Sequence, residues 1–264
     1  MMMSPCNAQH YEFLATTYDQ HWTHSGTFVD WMTRKIMESL ALRPHHRIID
    51  VGCGTGLYSR RIVDLVRPEN CILCVDPSAA MLGRLGSTAG VRPVLASAEQ
   101  LGGELPDFAP LNISPGSFDA VLVKEAIHHV APSDRAPTVG GLGNLLAQGG
   151  RLLIVMLPTR IRYPLFTAAL EMFEELQPDP EEIIGHVRRA GLLARIEYHE
   201  FALTIPKDRY LAMVRGRYMS LLSAFDEGEI EAGIREIDAI HPEQLLSFPD
   251  RFAFILGTRL APTR

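Results

Sequence analysis

The residues best suited to chemistry are a glycine-rich loop with a carboxylate in front of it. They lie in Ile48-Ile-Asp-Val-Gly-Cys-Gly-Thr-Gly56, where an apolar run containing Asp50 leads into Gly52, Cys53, Gly54, Thr55 and Gly56. Glycines let a backbone turn sharply and let a ligand approach it closely. The start of a following helix adds N–H groups without intrahelical partners. A dinucleotide fingerprint requires G-x-G-x-x-G. Here the third glycine comes one residue early, and the Asp50 carboxylate would repel a pyrophosphate while suiting a ligand that carries an ammonium group. The loop therefore argues against a nicotinamide dehydrogenase. The other sulfur-bearing motif, Cys71-Ile-Leu-Cys74, sits in an apolar run. Positions i and i+3 of a strand face opposite ways, so the pair reads as buried structural thiols and no metal site is expected.

The elements that must hold this loop alternate in kind. Arg47–Val51, Cys71–Val75, Arg92–Ala96, Phe118–Val123 and Arg151–Met156 are short, near-continuous apolar runs, the pattern of strands covered on both faces. Leu57–Val66, Ser78–Leu85 and Ser133–Leu146 carry helical patterns, with Ser78 and Ser133 as N-caps. Such a series implies a parallel sheet with right-handed crossovers. Ala8–Leu42 reads as helix, Glu181–Ala190 as a helix ended by Gly191, and Leu192–Ile205 and Arg251–Thr258 as two further strands around a helical insertion over Pro206–Leu246.

With 264 residues, 25 basic against 31 acidic side chains and a net charge of −6, the chain is expected to be a soluble globular protein. An acidic balance does not favour nucleic acid as a partner, because such affinity rests on neutralising phosphates. No run approaches the roughly 18 apolar residues of a membrane helix, and Met-Met-Met-Ser-Pro-Cys-Asn lacks the basic and apolar regions of a secretory signal. The expected location is cytoplasmic.

The glycine loop resembles motif I of the class I S-adenosylmethionine-dependent methyltransferases. Further marks follow in the family's order: Asp76 closing Cys-Val-Asp-Pro-Ser78, then Leu95-Ala-Ser-Ala-Glu-Gln-Leu101, then Ser117-Phe-Asp-Ala-Val-Leu-Val-Lys-Glu-Ala-Ile-His-His-Val130. The last is Leu146-Ala-Gln-Gly-Gly-Arg-Leu-Leu-Ile-Val155, with Gln148 where proline is usual. The resemblance implies a Rossmann-like α/β fold, with a seven-stranded sheet, helices on both faces and α-helical cap segments. It treats 1–264 as one domain, with a core of about 43–156, 181–205 and 250–260 and a cap from 1–42, 157–180 and 206–249. The last two strands would be antiparallel at one edge.

The same resemblance implies S-adenosylmethionine as cofactor and a role for each matching residue. Gly52, Cys53, Gly54 and Gly56 would carry its methionine part, and Asp50 would support the loop and the amino group. Asp76 would hold the ribose hydroxyls, with Pro77 and Met81 beside the adenine and Ser97, Ala98 and Glu99 at its edge. Lys124 and Glu125 would offer backbone contacts to the methionyl amine, and Tyr11 and Tyr18 would fold over the cofactor. His129 and His128 are the candidate bases for an acceptor that must lose a proton.

The acceptor would be a small molecule held by Trp22, Arg160, Arg162, Tyr163, Arg217 and Tyr218, arginines among aromatic residues. That mixture suits an apolar body bearing a carboxylate or phosphate. Two rival readings remain, a nucleic-acid methyltransferase and a non-catalytic S-adenosylmethionine-binding regulator. The first lacks the N/D-P-P-Y type of signature after strand four, where Lys124-Glu-Ala-Ile stands. Oligomeric state is left open, with Leu157–Phe173 the stretch able to expose an apolar surface.

Overall fold

A computed structural model of the chain describes residues 25–86, 88–103 and 113–261. Tyr11, Tyr18 and Trp22, and most of the expected Ala8–Leu42 helix before Ser25, lie outside the described residues. The first described helix, α1 (Gly26–Leu40), is capped by Ser25, whose hydroxyl accepts from Phe28 N–H.

Seven strands form one sheet: β1 (Ile48–Val51), β2 (Ile72–Asp76), β3 (Val91–Leu95), β4 (Phe118–Lys124), β5 (Leu146–Met156), β6 (Leu193–Pro206) and β7 (Leu245–Thr258). Their order is β3-β2-β1-β4-β5-β7-β6. β1 to β5 pair in parallel, and β7 runs antiparallel to both β5 and β6. The helices between them are α2 (Leu57–Val66), α3 (Ala79–Gly83), α4 (Ala98–Gly102), α5 (Pro132–Asn144), α6 (Thr167–Leu176), α7 (Pro180–Arg189), α8 (Lys207–Arg215) and α9 (Glu227–Ile240).

The period of two in each strand sorts its side chains between two cores. Ile48, Ile72, Ala120, Leu122, Leu153 and Val155 face one core with α1, α2, α6, α8 and α9. Ile49, Leu73, Val121, Val123, Leu152 and Ile154 face the other with α5 and α7. Covering both faces is what the continuous apolar runs required.

Several expectations change in detail. Ser78 does cap α3, accepting from Met81 N–H, but Ser133 does not cap α5. That helix starts at Pro132 after Ala131, and proline's missing N–H is harmless in a first turn. Cys74 is buried as expected whereas Cys71, at the mouth of β2, is exposed. Among the described residues no metal-holding cluster exists, and no helix is long and apolar enough to cross a membrane. The apolar stretch after β5 is not a surface: Leu157, Leu165, Phe166 and Phe173 are all buried in the first core.

β7 begins six residues earlier than Arg251 and pairs with β6 along its whole length, up to Leu245 opposite Pro206. β5 pairs with β7 only as far as Ala253. Pro249 is therefore tolerated, because on the β5 side no ladder hydrogen bond is required there. This two-stranded extension reaches past the carboxyl ends of the parallel strands and carries α8 and α9 at its tip.

Candidate functional site

The carboxyl ends of β1, β2 and β4 converge on the glycine loop. Gly52, Gly54 and Gly56 all have positive φ, at 74°, 56° and 73°. A Cβ on Gly52 would lie 2.3 Å from the Ala126 Cβ, and one on Gly56 would lie 2.1 Å from Leu85 Cδ2. These glycines let the loop pack against the segment after β4 on one side and the end of the α3 turn on the other. At Gly54 the same construction meets nothing within 4 Å among the described residues, so on their side the loop is open to a ligand at its middle glycine.

Asp76 ends β2 and is buried. Its Oδ2 accepts from Gly54 N–H at 2.8 Å and its Oδ1 from Ser78 N–H at 2.9 Å. Burial raises its pKa, and these two hydrogen bonds offset part of the rise. Carboxylate oxygens have further lone pairs, so hydroxyls can still bond there. Asp50 is buried beneath the loop and accepts from Ser59 Oγ at 2.5 Å. Burial pushes its pKa up to about 6, with Asp76 adding to the shift and Ser59 and Lys124 opposing it. Its observed task is thus to tie β1 to α2. Cys53 Sγ lies 3.6 Å from Gly54 O, and its thiol is pushed far up in pKa by its contact with the Cys74 thiol and by burial.

Ser97 caps α4 through a reciprocal capping box with Gln100, which occupies its hydroxyl and its N–H. Ala98 and Glu99 follow, half-buried, in the first turn, while Met81 is buried and Pro77 exposed beside Asp76.

Beyond β4 lies a second group of polar side chains. Lys124 Nζ sits 4.7 Å over the Tyr58 ring and 5.9 Å from that of Phe252. Glu125 adopts φ 51°, a left-handed conformation rare for a residue with a side chain. Its N–H donates to Val155 O at 2.8 Å. Burial lifts its carboxyl to about 7, with Lys124 opposing the rise and Asp250 adding to it. His128 and His129 form a turn after β4, with rings 4.0 Å apart. Burial, then the charges of His129, Arg135 and Lys124, hold the His128 imidazole well below its usual pKa.

Tyr163 donates a short hydrogen bond to Asp250, which is fully buried on the extension of β7. The Tyr218 and Tyr210 hydroxyls lie 3.0 Å apart next to them, and Phe248 packs on both Tyr163 and Tyr210. Of the residues expected at an acceptor site, Tyr163 and Tyr218 both lie within the influence of the buried Asp250, while Arg160 and Arg217 have protein partners of their own. Arg160 is 81% exposed and pairs with Glu174 at 2.7 Å, and Arg162 is exposed. Arg217 donates to Phe225 O at 3.1 Å.

Asp250 and Tyr58 were not legible as site residues. Asp250 stands in Ser-Phe-Pro-Asp-Arg with no motif around it, and Tyr58 reads as an ordinary first-turn helix residue. Only the β6–β7 extension and the Lys124 side chain bring them to the site.

A glycine loop entering α2, an acid closing β2 and an antiparallel β7 inserted beside β5 define a class I methyltransferase architecture. Residues 49–152 match the family described as "Methyltransferase domain", and the sheet around them has the fold of the class I S-adenosylmethionine-dependent methyltransferases. It is 29% identical over 139 residues to a ubiquinone/menaquinone biosynthesis C-methyltransferase of Pasteurella multocida, covering 50% of this chain and 47% of that one. It is 30% identical over 160 residues to a ubiquinone biosynthesis O-methyltransferase of Xanthomonas euvesicatoria, covering 55% and 62%. The chain thus spans about half to three-fifths of the length of these relatives. In fold it is similar to a putative methyltransferase from an antibiotic biosynthesis pathway of Anabaena variabilis. That likeness has a TM-score of 0.64 at 19% identity and covers 86% and 96% of the two chains.

S-adenosylmethionine is the cofactor of this family, and the residues present suit it. Gly54 leaves room over the loop, and Asp76 presents acceptor capacity at the end of β2. The buried carboxyls Asp50, Asp76 and Asp250 favour a cationic ligand over a pyrophosphate.

Proposed function

We propose that this chain binds S-adenosylmethionine across the glycine loop and methylates a small molecule held between Lys124–His129 and the β6–β7 extension. The observation that carries the reading is the Gly54–Asp76 hydrogen bond, which holds an open glycine beside a buried carboxylate. When bound, the cofactor supplies a methyl group on a sulfonium, already joined to a good leaving group.

The chain's own contribution is then alignment, charge and exclusion of water. Asp76 holds the ribose while Gly52 to Gly56 shape the floor. Met81, Ala98 and Glu99 line the adenine side, with Ser97 and Pro77 setting the turns. Tyr58, Tyr163, Tyr218 and Phe252 provide aromatic and hydroxyl surface on the acceptor side. Aromatic faces also suit a sulfonium or another cation.

The acceptor best supported is a neutral or cationic small molecule. The expected arginine clamp for an acidic acceptor has no support in the placement of Arg160, Arg162 and Arg217, whereas Asp250 and Glu125 put carboxyls on that side. Nucleic acid as acceptor is disfavoured by the net charge of −6.

The test uses methyl-labelled S-adenosylmethionine with the purified protein and three separate pools: a small-molecule extract, RNA and DNA. Label is expected in the small-molecule pool. Label only in a nucleic-acid pool would overturn the acceptor class. Binding without transfer to any pool would favour the regulatory reading.

A further inference from the structure

Glu125 is a buried titratable group whose carboxyl is only half satisfied by the described residues. One side of its carboxyl accepts from the Leu157 amide. The Oε1 atom is buried and has no hydrogen-bond partner among the described residues. Buried carboxylate oxygens are normally satisfied, so an orphan calls for a reason. The backbone holding it is itself unusual, at φ 51°. A non-glycine residue in this region is maintained only where its surroundings enforce it, most often at functional sites.

The groups around the carboxyl are those of one side of the site. Its field reaches Tyr58 on α2 and Tyr163 after β5, and the charges facing it are Lys124 on β4 and Asp250 on β7. The groups acting on Asp50 are Ser59, Asp76 and Lys124, and those on Asp76 are Ser78 and Gly54. Glu125 is in neither set. It lies instead among the groups of the acceptor side, Tyr58, Tyr163 and Asp250.

We propose that Glu125 is a catalytic residue that takes the proton from an acceptor bearing an O–H or N–H group, at the point of methyl transfer. The proposal rests on the functional reading above and names its substrate class as protic acceptors, as opposed to tertiary amines or thioethers, which need no base. In the balanced step the acceptor X–H gives its proton to the carboxylate while its electron pair forms X–CH3. The S–CH3 bond breaks with its pair left on sulfur, and Glu125 returns the proton to water.

A base works best when its pKa lies near the working pH. A carboxyl raised by burial meets that condition, whereas His128, held well below its ordinary value, is a weak proton acceptor. His128 and His129 then serve as walls of the turn after β4.

The test needs no knowledge of the acceptor. Sinefungin carries an ammonium-bearing carbon where S-adenosylmethionine has its methylated sulfur, and it otherwise shares the adenosyl and amino-acid parts of S-adenosylhomocysteine. Titration of Asp50 or Asp76 therefore affects both ligands alike, and their affinity ratio isolates a charge near the methyl position. In the wild type, sinefungin is expected to bind about tenfold to a hundredfold more tightly than S-adenosylhomocysteine at pH 8. That preference should shrink about tenfold on going to pH 6 as the carboxyl gains its proton. Glu125→Gln should abolish the preference and its pH dependence, with a cooperative urea-unfolding transition as the control that the variant is folded.

A flat ratio between pH 6 and pH 8 in the wild type overturns the proposal, even if the variant does not fold. So does an unchanged ratio in Glu125→Gln. Failure of the wild type to bind S-adenosylhomocysteine overturns the proposal together with the reading beneath it.

Discussion

Gly54 N–H donates to Asp76 Oδ2 at 2.8 Å while Ser78 N–H donates to Oδ1 at 2.9 Å. One carboxylate thus closes β2, starts α3 and pins the middle of the glycine loop. Asp76→Asn would turn an amide toward at least one of these N–H donors and remove charge from the ribose site. The expected outcome is a loss of at least about thirtyfold in S-adenosylhomocysteine affinity, since hydrogen bonds to charged groups each contribute about 1.5–3 kcal/mol. Affinity within threefold of wild type would show that Asp76 only shapes the turn.

The loop's contact with the segment after β4 can be tested by a double-mutant cycle. Gly52→Ala places a Cβ 2.3 Å from the Ala126 Cβ at φ 74°, and is expected to cost about 2–4 kcal/mol in urea unfolding. Ala126→Gly in the same chain removes the clash and leaves the backbone strain, so at least about 1 kcal/mol should return. Strict additivity of the two changes would show that the loop and the β4 segment are not in contact.

The pH dependence of stability follows from two raised carboxyls. Glu125 rises from 4.5 to about 7 and Asp50 from 3.8 to about 6. Between those limits the folded state keeps protons that the unfolded chain has released, so stability is greatest below the lower values and falls as pH rises toward 7. At 1.36 kcal/mol per unit, Glu125 contributes up to about 3 kcal/mol of this loss. Glu125→Gln should therefore be more stable than wild type at pH 8 and equal to it at pH 4, as measured by urea unfolding at both values. A variant destabilised at pH 8 would contradict the burial assigned to this carboxyl.

The arginines after β5 and α8 should separate cleanly. Arg160→Ala removes an exposed pair with Glu174 and is expected to change stability by less than about 0.5 kcal/mol. Arg217→Ala loses its bond to Phe225 O and should cost about 1 kcal/mol. Neither should raise the KM for the acceptor found in the labelling experiment. A KM raised tenfold or more by either change would restore the acidic-acceptor expectation.

What was legible in the sequence was the part whose signals are local. The apolar runs of β1 to β5, the glycine loop and Asp76 are each set by neighbours within a few residues, and they occupy the expected places. The helix α5 starts early because Pro132 suits a first turn better than Ser133 suits its cap. Non-local features escaped. The first half of β7 gains its strand structure from pairing with distant β6, against the break that Pro249 suggests. The buried Asp250–Tyr163 contact joins residues on two segments that only the closed sheet brings together. The arginines drew attention by composition, yet their partners, Glu174 and the Phe225 carbonyl, are set by the helical packing.

The central claim is that the glycine loop and Asp76 form a binding site for S-adenosylmethionine, and calorimetric titration with S-adenosylhomocysteine tests it most directly. The account predicts saturable binding to the wild type that is lost in Gly54→Ala, whose added methyl meets no described residue within 4 Å and whose φ of 56° strains any side chain there, so the loop can no longer seat the ligand. Absence of binding heat from folded wild-type protein, or equal affinity in the variant, would contradict it.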